Sequence, residues 1–375
     1  METKLLYFVV FFVSLFFAYL AQSRNVYLRD GHIVRKFRII PYLISMTVPW
    51  YMLAFTDIGV DYPNYVQIIN YIDINNYNEI FSVESGFALV SAILKTVFDG
   101  NIDAVLFVFK SFSIVVSFIA IYIVRNRLNV FVSVLAYMLL LFLPSFYLIS
   151  QAMAAAIVLL SLSIYYRRNK LLAPLLLLIF GGFIHNSIFI FIPVAFLGYF
   201  LSTTKLTKGK VAIVILLSIT AVIFASSIYG YVLANVPGFH YGNYGDNSFE
   251  GSGLFFLVKY LPLFYIGYIV WQYGINKENK AFIFVFIVAS AVFNLLSYQF
   301  RVIERMEFLL LANYILFLPM FVDDQLYLKY SHKKYSNIKI VYFLYLAFIG
   351  YNVIQGRTSE AVDMSVYHYF NPFAM

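Results

Sequence analysis

The chain has 375 residues, of which 62% are hydrophobic and only 12% charged, and its formal net charge is +8. A soluble domain usually carries about 25% charged residues, so a water-soluble fold of this composition would leave far too much apolar surface against water. Cysteine is absent and the five histidines show no paired spacing, which excludes a disulfide framework and gives no metal-ligand motif. We therefore expect an integral membrane protein.

Apolar runs recur along the whole chain, and a helix of roughly 20 apolar residues crosses a bilayer core of about 30 Å. They predict an all-α, polytopic fold that forms a single membrane domain over residues 1–375. The first run lacks a small-residue cleavage site and is expected to be retained as a span. The predicted spans are 5–22, 38–55, 103–124, 129–149, 151–166, 171–184, 186–201, 211–231, 253–273, 281–298, 306–322 and 340–354.

Basic residues are unevenly distributed between alternate loops, with most of the 26 Lys and Arg on one side. The positive-inside rule assigns that side to the cytoplasm. Both termini and two loops, at about 56–102 and 232–252, are then expected in the periplasm. The alternation holds only if 171–201 forms a short helical hairpin, which the GG and HNS residues at its middle also favour. Because topology accounts for the positive charge, nucleic acid is not an expected partner.

The first periplasmic loop begins with the polar stretch GVDYPNY at residues 59–65. Its position on the outer face makes Asp61, Tyr62 and Tyr65 candidates for contact with a polar substrate. The alternative is that Pro63 and Asn64 only form a turn and that the tyrosines anchor at the membrane interface.

Further along the same loop, Glu84 precedes a segment in which apolar residues recur at helical spacing up to residue 98. The segment is too short to span, so we predict an amphipathic or re-entrant helix near 84–98 at the outer face. Glu84 is a candidate catalytic carboxylate, although favourable interaction with the helix dipole would also explain an acid at this position.

Polar residues also occur where later spans begin or end on the outer side. His185 and Asn186 lie at the predicted hairpin turn, where a histidine suits general-base catalysis near neutral pH or simply forms a polar turn. Gln151 begins an Ala-rich span. It is either a candidate substrate contact or an ordinary polar residue at a helix start.

The densest charge cluster is QFRVIERMEF at residues 299–308. In a helix, Arg301 and Arg305 share one face and Glu304 lies beside them. Two guanidiniums at an outer helix end suit a diphosphate, because arginine is planar, always charged and donates two parallel hydrogen bonds. The alternative is an Arg–Glu pair that anchors the helix at the interface.

Taken in order, these motifs resemble the EpsG-like branch of the Wzy-type O-antigen and polysaccharide polymerases. The resemblance runs from about residue 55 to the end, and it rests on motif order and spacing. Its motifs are GVDYPNY (59–65), ESGF (84–87), a Gln–Ala helix start (151–152), FIHNS (183–187), RxxxR (301–305) and YFNPF (369–373).

This resemblance implies an enzyme of the bacterial inner membrane that joins undecaprenyl-diphosphate-linked oligosaccharide repeat units on the periplasmic face. Donor and acceptor would both be lipid-linked glycans, and a chain-length regulator protein is a further expected partner. No nucleotide sugar and no cofactor are implied.

Under the same resemblance, Asp61, Glu84 and His185 are the candidates for activating the acceptor hydroxyl, and Arg301 and Arg305 would bind the diphosphate. Two departures from the family pattern stand out. Ser150 precedes Gln151 where relatives usually have arginine, so any phosphate contact from that position must come from elsewhere, and Ser85 stands where relatives often have proline.

Two other functions remain open at this stage. A lipid-linked oligosaccharide flippase fits a count of twelve spans, but it would place polar residues along a central cavity rather than on one side. A ligase of the O-antigen type would use the same chemistry on the same face.

Overall fold

The computed structural model describes residues 3–29, 32–59, 61–72, 84–168, 170–203, 260–273, 284–293, 308–316 and 340–348, with residues 209, 212, 213, 216, 319 and 350. It is mostly helical, which confirms the all-α prediction. The helices are α1 (Thr3–Ala21), α2 (Ile39–Ala54), α3 (Tyr62–Tyr71), α4 (Ser85–Val97), α5 (Ile102–Ile123), α6 (Val130–Tyr137), α7 (Ile149–Arg168), α8 (Leu172–Ile184), α9 (Ser187–Thr203), α10 (Leu261–Tyr273) and α11 (Phe284–Phe293). Residues 308–316 and 340–348 are also helical.

Two helices in the described ranges, α5 and α7, have both the length and the hydropathy to cross a bilayer by themselves. Other apolar helices, such as α1, α2, α8 and α9, are shorter than 18 residues in their apolar part. The helices follow the predicted runs, but the number of spans stays a prediction.

The apolar stretch 129–149 differs from the predicted continuous span. Helix α6 passes into a π-helical turn at Met138–Phe142 and then a 3₁₀ turn at Pro144–Phe146 before α7 begins. Proline has no backbone N–H and does not continue a regular helix, which explains the break at Pro144. Helix α7 consequently starts at Ile149, two residues before the predicted start of its span.

An antiparallel pair of strands, β1 (Gln22–Arg29) and β2 (His32–Phe37), joins α1 to α2. Arg29 pairs with His32 next to the turn, and Gln22 pairs with Phe37 at the other end. No strand was expected in this basic loop, so the hairpin is an addition to the predicted all-α architecture.

Helix α7 forms the centre of the described bundle, packed along α5 on one side and α8 on another. It is buried over nearly its whole length, and four of its residues are small alanines: Ala152, Ala154, Ala155 and Ala156. Small side chains let neighbouring helices approach closely, as the sequence predicted for this segment.

Helix α8 carries large apolar side chains on its outward face, where Leu172, Leu176, Phe180 and Phe183 are each at least half exposed. These positions recur every three or four residues and therefore form one stripe. A continuous stripe of exposed Leu and Phe is costly in water but suits contact with lipid chains.

Gly59 fixes the path of the chain between α2 and α3. Its φ is +135°, which strains any residue with a side chain, and an added Cβ would collide with the backbone carbonyl of Phe146. The segment before α3 is thereby seated against the 3₁₀ turn that precedes α7. This contact brings the start of α3 close to the start of α7.

Candidate functional site

Glu84 and His185 form a close side-chain contact between two segments that lie a hundred residues apart in the chain. The Glu84 carboxylate contacts His185 Nδ1, and the same carboxylate oxygen accepts a hydrogen bond from the Asn186 backbone N–H at 3.2 Å. The side chains of Glu84 and His185 are 14% and 5% exposed. The pair is thus shielded from most of the solvent but still reachable through Glu84.

The ends of two helices define this pair. Glu84 occupies the N-cap position of α4 yet makes no capping bond with its side chain, which turns to His185 instead. Simple capping of α4 therefore does not explain this carboxylate. His185 is the C-cap of α8 in an extended conformation, and α9 begins at Ser187. The predicted break between helices is thus present at HNS, whereas Gly181 and Gly182 lie within α8.

Gly86 allows α4 to approach α8 closely enough for the pair to form. A Cβ at Gly86 would lie 2.6 Å from the Phe183 carbonyl oxygen and 2.9 Å from the Phe183 Cβ. Real Cβ atoms do not tolerate such distances, so a larger residue would push the two helix ends apart.

The first turn of α3 supplies a second group of polar residues. The Tyr65 hydroxyl lies 3.1 Å from Ser150 Oγ and accepts a hydrogen bond from the Ser150 backbone N–H at 3.2 Å. Asp61 stands just before the helix and accepts a hydrogen bond from the exposed Asn64 amide at 3.4 Å. Pro63 belongs to the first turn of a ten-residue helix, so the GVDYPNY stretch is more than an isolated turn.

Tyr65 connects α3 with the Glu84 region. Burial raises the pKa of the Tyr65 phenol, the nearby carboxylates of Glu84 and Asp61 raise it further, and the hydrogen bonds with Ser150 oppose this rise. Tyr65 therefore stays a neutral phenol at physiological pH and can act as a hydrogen-bonding group, not as a base.

Gln151 lies in the first turn of α7, next to Ser150, and is only 2% exposed. Among the described residues its side-chain carbonyl oxygen has no hydrogen-bond partner. A buried amide oxygen without a partner is uncommon, and it is available to a donor from a bound molecule.

Tyr62 is buried and its hydroxyl donates to the Asp103 carboxylate at 2.7 Å. Burial is the main cause that raises the pKa of Tyr62, and the hydrogen bond to Asp103 adds to it. The Lys110 ammonium lies 4.7 Å from the centre of the Tyr62 ring and donates to the Thr56 carbonyl oxygen. In the sequence Lys110 is a single lysine within the apolar run 103–124, and its contact with Tyr62 becomes visible only in the fold.

These polar groups rest on a small apolar cluster separate from the main core. The rings of Phe87 from α4 and Phe109 from α5 pack in a tilted arrangement with their centres 5.0 Å apart, and the cluster also includes Ile149, Met153 and Ile184. The cluster holds the starts of α3, α4 and α7 and the end of α8 together. The candidate residues therefore lie at packed helix ends and not on free loops.

Seven of the predicted site residues fall within the described part of the chain: Asp61, Tyr62, Tyr65, Glu84, Gln151, His185 and Asn186. The structure joins Glu84 to His185 and to the backbone of Asn186, and it joins Tyr65 to Ser150, the neighbour of Gln151. Arg301, Glu304 and Arg305 lie outside the described residues, as do the 232–252 loop and the YFNPF motif. Within the described ranges, no group of three or more His, Cys, Asp or Glu side chains could hold a metal ion.

The geometry of the pair is suited to proton transfer. A carboxylate beside an imidazole orients the ring and stabilises its protonated form, while burial strengthens the interaction between the two charges. A hydroxyl placed at the free side of the ring would find a base with its counter-charge already in position.

Comparison with known protein families agrees with this picture. The family model described as the EpsG family matches residues 39–371, which is most of the chain. The chain belongs to the EpsG family. The comparisons with curated proteins and with solved structures gave no match.

Membership of the EpsG family, together with the helical and apolar character of the chain, makes this a membrane protein. It also points to a polymerase-type, glycosyltransferase-like role in the synthesis of exopolysaccharide or O-antigen. The matched range includes every predicted site residue from Asp61 to Arg305.

Proposed function

We propose that this EpsG-family chain polymerises undecaprenyl-diphosphate-linked oligosaccharide repeat units on the periplasmic face of the bacterial inner membrane. The growing glycan leaves one lipid carrier and is joined to the repeat unit on another. The observation that carries the proposal is the shielded Glu84–His185 pair between the start of α4 and the break between α8 and α9. Such a pair is a ready acceptor for the proton of an attacking hydroxyl.

In the proposed step, a hydroxyl oxygen of the acceptor sugar attacks the anomeric carbon of the donor glycan. A new glycosidic C–O bond forms, and the bond between that carbon and the diphosphate oxygen breaks. The electron pair of the broken bond leaves with undecaprenyl diphosphate, and the hydroxyl proton passes to His185. The donor is activated by its own diphosphate, so the step requires no nucleotide sugar.

The contact between His185 and Glu84 determines which ring nitrogen accepts the proton. We assign the ring proton to Nδ1, which contacts the Glu84 carboxylate, so that Nε2 carries the lone pair and is the basic atom. Glu84 then balances the positive charge that develops on the ring. The backbone N–H of Asn186 holds the same carboxylate oxygen at 3.2 Å, which keeps Glu84 in place during the reaction.

Asp61 is the second candidate for the base. It is only partly buried and accepts a hydrogen bond from Asn64, in contrast to the paired and shielded Glu84. Asp61 and Glu84 both raise the pKa of the Tyr65 phenol, which supports a shared role near Tyr65. We assign it to orientation of the acceptor sugar, with Tyr62, Tyr65, Asn186 and Gln151 as further substrate contacts.

Arg301 and Arg305, with Glu304 beside them, are proposed to bind the diphosphate of the donor. Negative charge builds up on that group as it departs, and guanidiniums stabilise it through paired, charge-assisted hydrogen bonds. The support for this part is the sequence alone, where both arginines fall on a side otherwise poor in basic residues.

Deletion of the chromosomal copy, followed by gel analysis of the surface glycan, tests the proposal. Loss of a polymerase leaves a single repeat unit attached to its acceptor, whereas loss of a flippase or a ligase leaves none attached. We expect the single-unit product, restored to a ladder by the unaltered chain. Disappearance of even the single-unit product would overturn the proposal.

A further inference from the structure

Lys110 is the most deeply buried charged residue in the described part of the chain. It lies well inside α5, 1% exposed, and donates a hydrogen bond to the Thr56 carbonyl oxygen just beyond the end of α2. A charged side chain at this depth is costly, and a leucine or methionine would pack there without that cost. Its contacts therefore need an explanation.

The contacts of Lys110 converge on the first residue of α3. Its ammonium lies over the Tyr62 ring at 4.7 Å, and the Tyr62 hydroxyl donates to Asp103, which shares α5 with Lys110. Tyr62 is thus held at its ring by Lys110 and at its hydroxyl by Asp103.

A second lysine holds the opposite end of the same helix. Lys95 of α4 donates to the carbonyl oxygens of Ile69, Asn70 and Ile72, at 3.1, 2.7 and 3.1 Å. A cation at these carbonyls satisfies acceptors that a helix leaves unpaired at its C-terminus. The two lysines therefore fix α3 at both ends, but only the Lys110 end carries Asp61 and Tyr65.

We propose that Lys110 is a positioning residue that fixes the first turn of α3, and with it Asp61 and Tyr65, relative to Glu84 and His185. The link to catalysis rests on the proposed function, while the positioning of α3 can be measured without it. Since Lys110 is buried, it acts through Tyr62 and does not touch the substrate. Displacement of catalytic groups by about 1 Å can reduce a rate on the order of 100-fold. The gain in rate from a fixed α3 can therefore offset the cost of burying a charge.

The absence of cysteine makes the positioning directly measurable by spin labelling. Single cysteines replace Asn64 or Asn70, two exposed residues at opposite ends of α3, in the full chain in liposomes. In Lys110→Met we expect the lines of the EPR spectrum to narrow for a label at 64, because the start of α3 becomes more mobile. The EPR spectrum of a label at 70 should not change. Lys95→Met is the matched control and should do the reverse.

Two further variants guard against simple misfolding. Tyr62→Leu keeps the lysine but removes the ring and the hydroxyl. It should also increase the mobility of the label at 64. Lys110→Arg keeps the charge and should restore the restricted spectrum that Lys110→Met loses. An unchanged spectrum at 64 in Lys110→Met would overturn the inference, whatever the result for Tyr62→Leu.

Kinetics on the same preparations separates positioning from bulk stability. In Lys110→Met we expect kcat to fall roughly 10- to 100-fold with a smaller change in KM, because binding of the lipid diphosphate is assigned elsewhere. Lys95→Met should retain its kcat. A mobile label at 64 with unchanged kcat would overturn the role in catalysis. A chain without any polymerase activity would overturn the proposed function and leave the spin-label result to decide the positioning.

Discussion

The charges around Lys110 and the charges around Glu84 occupy the same corner of the fold and differ in how they are used. Lys110 is 1% exposed, and its contacts with Thr56 and Tyr62 hold helix ends together. The Glu84 side chain is 14% exposed and meets His185 at a break between helices. The first arrangement stabilises the positions of helix ends, and under the proposed function the second supplies a proton acceptor.

The difference teaches that burial alone does not identify the reactive group in a membrane protein. Lys110 is the more deeply buried of the two residues, and its ammonium is enclosed by the protein. Glu84 is less deeply buried, and its carboxylate contacts His185 instead of capping its own helix. The contacts of a side chain, more than its depth, are therefore the basis on which we propose a structural role for Lys110 and a catalytic role for Glu84.

The largest effect is expected from the pair itself. Glu84→Gln and His185→Gln should each reduce the rate of chain growth roughly 100-fold or more, because the acceptor hydroxyl loses its base or the base loses its counter-charge. The measurement is the glycan ladder formed by each variant at equal protein level in the membrane.

Asp99→Asn is the matched control for this change. It also converts a carboxylate to an amide, at an exposed residue with φ of 50°, a conformation that asparagine tolerates. A full-length ladder from Glu84→Gln at normal protein level would show that the pair is structural, like the contacts of Lys110.

The next largest effect is expected from the predicted diphosphate site. Arg305→Ala and Arg301→Lys should each abolish visible chain growth, with a loss on the order of 100-fold, since the leaving group loses a paired donor. Lys277→Ala, in a loop predicted to face the cytoplasm, is the control. Normal ladders from both arginine variants would remove this part of the proposal and leave the Glu84–His185 assignment standing.

A smaller effect is expected where α4 meets α8. Gly86→Ala places a Cβ 2.6 Å from the Phe183 carbonyl oxygen, so we expect about 1–3 kcal/mol of destabilisation and a partial loss of activity as Glu84 moves from His185. Thermal unfolding in detergent and the rate of chain growth are measured together. Ser85→Ala, one residue earlier, should change neither, and an equal loss in both variants would contradict the close-approach explanation.

The smallest effect is expected from Tyr65→Phe. It removes the hydroxyl bonded to Ser150 and should lower stability by about 0.5–1.5 kcal/mol. Tyr71→Phe, at a residue that is 77% exposed, is the control and should leave the unfolding temperature unchanged. Equal unfolding temperatures for the two variants would mean that the contact with Ser150 does not stabilise the start of α3.

Much of the helical framework could be predicted because apolar runs of sufficient length have few alternatives in a membrane. The break between α8 and α9 was predictable too, since HNS interrupts an otherwise continuous apolar run, although the neighbouring GG pair stays within α8. Helix α3 was not, because YPNYVQIINY is polar and carries a proline that here occupies the first turn. The β1–β2 hairpin was hidden for a similar reason, in a charged loop without an apolar pattern.

The candidate site was predictable as a set of residues and not as an arrangement. One sequence identifies Glu84 and His185 as unusual polar residues, but their contact depends on Gly86 fitting against Phe183 in three dimensions. The same holds for Tyr65 and Ser150, whose bond depends on Gly59 seating its segment against Phe146. Local patterns carry no record of such long-range contacts.

The most direct test uses the purified chain in liposomes with a lipid-linked repeat unit as the sole glycan. We predict a ladder of longer lipid-linked glycans and release of undecaprenyl diphosphate in step with each new glycosidic bond, with both absent in Glu84→Gln. A folded wild-type chain that forms no ladder, or a Glu84→Gln chain that forms the wild-type ladder at the wild-type rate, would contradict the account.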